Sequence, residues 1–210
     1  MKKSSILLLG AGGHARACID VIECRGEFFI EGLVGMPEEL NAKHLGYPVI
    51  AADCDLPELC KNHKNLLIAV GHINSPDQRM RLYSLATELG FSLPVIIAPT
   101  AHVSHHATIG AGSIVMHGAI VNAGAKIGAN CIINTKALIE HDVHVGDHCH
   151  ISTGVVLNGN TSVGTGSFVG SCSVVREGIS IGNYCIVGMG LSVRHQQIDH
   201  ARYMGEMNYD

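Results

Sequence analysis

Fourteen of the 210 residues are histidine. Neutral imidazole, with an unperturbed pKa of ~6.5, is the side chain suited to taking a proton from an attacking amine or hydroxyl at neutral pH. One of them, His141, lies between two carboxylates in Glu140-His141-Asp142. A carboxylate that accepts one ring N–H fixes the tautomer and stabilises the imidazolium formed when the other nitrogen takes up a proton. Adjacent residues of a regular strand face opposite ways, so Asp142 reaches the ring only where the backbone bends, and Glu140 is the other candidate partner. A second constellation is Gly10-Ala11-Gly12-Gly13-His14-Ala15, directly after an aliphatic run. Glycines that open a helix let backbone N–H groups approach a phosphate, which makes Gly12, Gly13 and His14 candidates for an anion cradle. The acidic residue of a dinucleotide fingerprint is missing at the end of the next strand, where the chain reads Gly35-Met36-Pro37-Glu38. The Gly71 turn, with Arg79 beyond it, is a further candidate for an acceptor pocket. The eight cysteines include no Cys-x-x-Cys pair, and no metal site is expected.

The elements that must hold these residues fall into two rhythms. From residue 102 the chain keeps one frame of six through sixteen hexads, HVSHHA, TIGAGS, IVMHGA and onward to SVRHQQ at 197. The second place is aliphatic throughout, from Val103 and Ile109 to Val187 and Val193, and the last is usually small, as at Ala107, Ser113, Ala119 and Cys131. Those two places lie two residues apart across the hexad junction, so both side chains point the same way from an extended strand. Each hexad thus reads as a very short strand followed by a corner, a unit that buries its apolar side only when coils stack. His141 holds the fourth place, at a corner. If three hexads make one turn, its column contains Ala123 below and Gly159 above, small residues that leave room beside the ring. Cys131, Cys149 and Cys185 share an inward column and read as small apolar filler. His144 and His148 read as surface residues.

Residues 1–97 alternate strand and helix signals instead. Extended runs at Ile6–Leu9, Phe28–Val34, Leu66–Val70 and Leu93–Ile97 are interleaved with helical spacing at Ala15–Ile22 and Pro76–Leu89, the latter stopped by Gly90. This pattern predicts a small Rossmann-like α/β domain with a parallel sheet. Residues 98–197 follow as the repeat domain and 198–210 as a tail. The apolar run near the start ends after Leu9, which is short for a secretory signal and reads as a buried strand.

Composition excludes several classes. The formal net charge is −4 and no basic run exists, which argues against nucleic acid as a partner. Aromatics are 4% of the chain and Trp is absent, leaving few stacking platforms for single strands. No stretch approaches the ~18 apolar residues of a membrane span. The cysteine pattern does not suggest a secreted disulfide framework, so the expected compartment is the cytoplasm.

The unbroken hexads resemble the left-handed parallel β-helix of the hexapeptide-repeat acyltransferases. With its α/β domain, the whole chain is similar to their subfamily of sialic-acid O-acetyltransferases and nucleotide-aminosugar N-acetyltransferases. The residues that carry the likeness are Leu9-Gly10-Ala11-Gly12-Gly13-His14-Ala15 and Asn134-Thr135-Lys136-Ala137-Leu138-Ile139-Glu140-His141-Asp142. The resemblance implies an acetyl-CoA-dependent transfer to a sugar, most directly to the amino group of a nucleotide-linked aminosugar, in a homotrimer with coenzyme A between neighbouring helices. It implies His141 as general base supported by Asp142, His150 as a contact to the acetyl carbonyl, and the Gly159 N–H as a contact to the cofactor. It gives Asn134 to the acceptor or the pantetheine arm, and the Gly12, Gly13, His14, Gly35 and Gly71 region to the acceptor's nucleotide. Relatives usually carry aspartates near Gly35, where Met36 stands here, and a different closing segment where this chain has Gly205-Glu206-Met207-Asn208-Tyr209-Asp210. Rival readings are a sugar O-acetyltransferase, a γ-type carbonic anhydrase with zinc held by three histidines, and a non-catalytic partner subunit.

Overall fold

The computed structural model describes residues 3–205; the closing segment 206–210 lies outside the described residues. The first part contains β1 (Ser4–Leu9), α1 (Gly13–Arg25), β2 (Phe28–Gly35), β3 (Lys43–His44), β4 (Tyr47–Ala52), α2 (Leu56–Leu59), β5 (Asn65–Ile68) and α3 (Asp77–Glu88). The sheet order is β3-β4-β2-β1-β5, parallel except for the β3/β4 hairpin. The central strand is aliphatic in succession because both its faces are covered. Leu7 and Leu9 pack with Leu56, Leu66, Ile68 and Leu82, while Ile6 and Leu8 pack with Ala15, Cys18, Ile19 and Ile22 of α1. Strand β4 was not expected from the sequence: its run Tyr47-Pro48-Val49-Ile50-Ala51-Ala52 carries a proline, which argues against a sheet interior. Pro48 falls near the strand's start, opposite Lys43 of the short hairpin. No helix among the described residues is long and apolar enough to cross a membrane.

The repeat part is a three-sided parallel β-helix. Each hexad gives a two-residue strand that pairs in parallel with the strand 18 residues on, as in Ile120↔Leu138, Lys126↔His144 and Ile132↔His150. Second-place residues such as Val121, Ile139, Ile151 and Leu157 fill the interior and are fully buried. At every fifth place from Gly112 to Gly190 the backbone is left-handed, which turns the chain through each corner. The inward cysteines are free, and Cys131 and Cys149 donate to the carbonyls of Gly146 and Gly164. The expected architecture is present, with shifted margins. Ile96–Ile97 pairs with Ile114–Val115 and so forms the first rung, ahead of residue 98. Arg202–Tyr203 pairs with Ile186–Val187, so part of the expected tail is a last rung.

The three faces differ in their outward first-place residues. The first face presents Ile96, Ile114, Ile132, His150, Phe168 and Ile186; the second His102, Ile120, Leu138, Val156, Val174 and Ser192; the third Thr108, Lys126, His144, Ser162 and Ser180. The α/β domain lies on the first face, where α1 shares a core with Ile96, Ile114 and Ile132. Arg25 Nη1 donates to Ile97 O at 2.7 Å across this seam. Arg79 of α3 is wholly buried, donating through Nη1 to Ile68 O at 2.6 Å and Val70 O at 2.7 Å, and through Nε to Asn130 O at 3.1 Å. The sequence reading placed Arg79 beside an acceptor pocket; its side chain instead is buried and joins the end of β5 to a corner of the prism.

Histidines gather along the same seam. Burial, reinforced by the Arg79 charge, lowers the pKa of His14 to about 3. Burial, with His150 and Arg79 adding, does the same to His72. The pKa of His150 is lowered to about 4 by burial, against the opposing hydrogen bond to the His72 carbonyl. His148, expected at the surface, is instead half-buried, with Nδ1 3.0 Å from Asn130 Nδ2 and its ring edge-on to Tyr83. The corner that carries it points at α3, which a reading of the repeat alone does not reveal.

Two expectations follow. In the unfolded chain these histidines titrate near ~6.5, so below that pH the unfolded state binds more protons and the folded state loses stability. Thermal unfolding followed from pH 7 to pH 5 should show a falling midpoint, and His72→Phe should flatten that slope; an unchanged slope would show that His72 charges freely in the folded state. Arg79→Met leaves three buried carbonyls without their donor and should cost about 3 kcal/mol or more, lowering the midpoint by about 6–12 °C.

Candidate active site

His141 stands at the corner between the second and third faces. The corner has the left-handed backbone of all the others, with φ +59° at Asp142, and this bend brings two adjacent side chains to the same side. Asp142 Oδ2 accepts from His141 Nδ1 at 2.9 Å. Glu140 is engaged elsewhere, accepting from Asn122 Nδ2 at 3.0 Å. The pair is open to solvent, with the His141 and Asp142 side chains 66% and 65% exposed. The hydrogen bond to Asp142 raises the His141 pKa above its ordinary value, against a smaller opposing effect of desolvation.

Two glycines make this arrangement possible. A Cβ at Gly159 would lie 2.7 Å from both Cε1 and Nε2 of His141, so a side chain there would displace the ring. A Cβ at Gly124 would collide with Asp142 Oδ1. The free nitrogen of His141 therefore faces the bare backbone of the next coil. Around it lies a cavity of about 480 Å³ lined by Glu140, His141, Asn158, Gly159, Asn160, Glu177 and Gly178. Glu177 escaped the sequence reading, although it belongs to the same 18-residue column as His141 and Gly159. Next to it Arg176 and Arg194, again one coil apart, line a smaller recess with Asn158.

Asn134 and His150 form a second group, at the edge between the first and second faces. His150 Nδ1 donates to His72 O at 2.7 Å, which leaves Nε2 as an acceptor facing Asn134 Nδ2 at 3.1 Å. The hydrogen-bond donor of this pair is thus the Asn134 amide rather than the imidazole. The two groups border opposite edges of the second face, and the chain by itself does not join them.

The α/β domain holds a third group. Gly10, Ala11, Gly12, Gly35, Met36, Glu39, Asp53 and Gln78 line a cavity of about 160 Å³ at the carboxyl ends of β1, β2 and β4. Gly12 and Gly13 are exposed, with open space where a Cβ would stand, and Gly12 caps α1 without a side-chain hydrogen bond. The first-turn N–H groups of a 13-residue helix are thereby offered to an anion. His14 turns its ring away, with Nε2 3.5 Å from Cys18 Sγ and its Cβ 3.5 Å from the position of a Cβ on Gly71. The acidic groups missing at the end of β2 come from elsewhere: Glu39, which accepts from Met36 N at 2.8 Å, and Asp53, whose pKa burial raises despite Arg81 nearby. Asp53 follows β4, the strand hidden in the sequence.

Residues 5–84 match the PglD N-terminal domain, residues 124–159 the bacterial transferase hexapeptide (six repeats), and residues 105–135 and 160–194 the hexapeptide repeat of succinyl-transferase. The acetyltransferase domain of PglB from Neisseria gonorrhoeae FA1090, solved in complex with acetyl coenzyme A, is 31% identical, with a TM-score of 0.87 over 95% of each chain. PerB from Caulobacter crescentus, solved with CoA and GDP-perosamine, is 34% identical with a TM-score of 0.87, covering 93% of this chain and 91% of its own. WeeI from Acinetobacter baumannii AYE shares the fold at 21% identity and a TM-score of 0.82, over 93% of this chain and 94% of its own. No curated protein sequence matches. By its full-length likeness to PglB and PerB, the chain belongs to the left-handed β-helix family of hexapeptide-repeat sugar acetyltransferases with a PglD-type N-terminal domain.

Proposed function

We propose that the chain transfers the acetyl group of acetyl-CoA to the amino group of a nucleotide-linked aminosugar, with His141 as general base. The observation that carries this reading is the His141–Asp142 pair, its free nitrogen aimed over bare Gly159 into an open cavity. The amine nitrogen attacks the thioester carbonyl carbon, and its proton passes to His141 Nε2 as the C–N bond forms. The C–S bond then breaks, and the departing thiolate takes the proton from the imidazolium. Asp142 stabilises that imidazolium through Nδ1. No backbone carbonyl among the described residues accepts from the Gly159 N–H, which leaves it for the thioester arm. Arg176 and Arg194 supply positive charge for the phosphates of coenzyme A. The acceptor's diphosphate is assigned to the first turn of α1 at Gly12 and Gly13, and its nucleoside to the cavity beside Gly35, Asp53 and Glu39. The eight free thiols suit a reducing cytoplasm.

The active assembly is a trimer around the second face. Ile120 and Val174 are 39% and 40% exposed on it, an aliphatic strip that the α/β domain leaves uncovered. Threefold packing of that face brings the His141 edge of one subunit against the Asn134 edge of the next. The spare Asn134 amide hydrogen then becomes a donor for the developing oxyanion.

Three outcomes are expected. With acetyl-CoA and a panel of UDP-, GDP- and CMP-linked aminosugars, free thiol release should fall by about 10²–10⁴-fold in His141→Ala. Equal turnover would remove His141 from the mechanism, and an ester product would show a hydroxyl acceptor. The acidic limb of kcat/KM should have its midpoint above pH 6.5, because the base works only when deprotonated and its pKa is raised. Asp142→Asn should move that midpoint down and lower the plateau about tenfold or more; an unmoved midpoint would dissociate Asp142 from the base. Val174→Asp should convert a trimer to monomers by light scattering and abolish turnover with both half-sites intact; a fully active monomer would overturn the shared site.

A further inference from the structure

We infer that Asp20, Cys24 and His117 form a binding site for a divalent transition metal of the zinc class, clasping α1 to the β-helix. Asp20 and Cys24 lie one turn apart on α1 and so share a face. His117 comes from the facing corner of the prism, where it holds the same fourth place in its hexad as His141 does, and projects outward for the same reason. One ligand atom from each of the three lies within 4.8 Å of the others. His117 Nε2 is 3.0 Å from Asp20 Oδ2. Tetrahedral zinc with bonds of ~2.0–2.3 Å separates such ligands by ~3.3–3.7 Å, a distance reached by rotating the exposed Cys24 and Asp20 side chains.

Two further observations point to a ligand. His117 Nε2 is shielded from solvent, yet it makes no well-directed hydrogen bond despite the nearby carboxylate. The other ring nitrogen, Nδ1, is 2.9 Å from Thr100 Oγ1. A hydroxyl oxygen held against one nitrogen fixes the ring and directs the other nitrogen's lone pair at the metal, an arrangement typical of metal-binding histidines. The donor set of one thiolate, one imidazole and one carboxylate selects a borderline metal over magnesium or calcium. On binding, Cys24 releases its thiol proton to solvent and ligates as thiolate. Neutral His117 keeps its proton on Nδ1, directed at Thr100, and ionised Asp20 supplies an oxygen. Water completes the fourth position. The site lies on the seam between the two domains and away from the His141 corner, so its effect falls on stability rather than on the transfer step.

Cobalt(II) titrated into the metal-free full chain tests this. One equivalent should bind and give a thiolate-to-cobalt charge-transfer band in the near ultraviolet. Cys24→Ser should abolish the band, and His117→Ala and Asp20→Asn should each weaken binding about tenfold or more. Cys172→Ser, which removes another exposed thiol, should leave the band unchanged. Zinc at a hundredfold excess over its Kd should raise the unfolding midpoint of the wild type by about 5–10 °C and leave Cys24→Ser unmoved. No band, a band that survives Cys24→Ser, or a zinc shift shared by that variant would overturn the site.

Discussion

The molecule depends on one constraint, the 18-residue register that stacks each coil on the one below. Ladder hydrogen bonds hold every two-residue strand in line with its neighbours, and a left-handed residue closes each corner. Because the second place must point inward and the fifth must turn, the fourth is left to project from an edge. Chemistry in this fold accumulates on the edges accordingly. The register also decides which side chains meet: His141 lies against Gly159 and below Glu177 because they occupy one column. A single inserted residue anywhere below the site would put a strand residue where the corner belongs.

From that constraint follows a division of labour among the faces. The interior columns are alike all round, whereas the first-place residues are isoleucine under the α/β domain, aliphatic but uncovered from Ile120 to Val174 on the second face, and polar on the third. Covering the first face fixes α1, and α1 fixes the glycine-rich turn at Gly12. Burial of Arg79 draws β5 and the Asn130 corner to one guanidinium, so the two domains share a buried charge that neither can solvate alone. The shared charge thus keeps the cavity beside Gly35 in a fixed place relative to the His141 edge.

Much of this was legible in the sequence. The period of six needed no partner to be seen, since each hexad repeats the same burial, and it located His141 at an edge. The Asp142 contact was not legible from strand alternation, because it depends on the left-handed backbone at the fifth place; other corners carry that turn on Gly112 and Gly118, but here a carboxylate adopts it. The faces were present in the sequence too, at intervals of 18 rather than six, yet which face is covered depends on the α/β domain. Tertiary contact likewise decided the fates of His148 and Arg79. A polar residue that faces a neighbouring domain has the same local pattern as one that faces water. Strand β4 was obscured by Pro48, and with it Asp53, the residue that brings an acidic group to the cavity beside Gly35.

Histidines on this scaffold behave differently according to what surrounds each ring, and that difference bears on the proposed mechanism. At the outer edge, His141 has water on one side and a carboxylate on the other, and its affinity for a proton rises. On the first face, His150 is buried, with an amide donor at one nitrogen and Arg79 nearby, and its proton affinity falls even though the His72 carbonyl accepts from the other nitrogen. A base must gain a proton in the transition state, which a ring held neutral by burial and a fixed cation resists. A ring with both nitrogens engaged serves better to fix a neighbour, and His150 fixes Asn134. Under the proposed mechanism, identical side chains of one β-helix thus divide into a group that exchanges protons and a group that orients a donor, according to which edge of the same face they border.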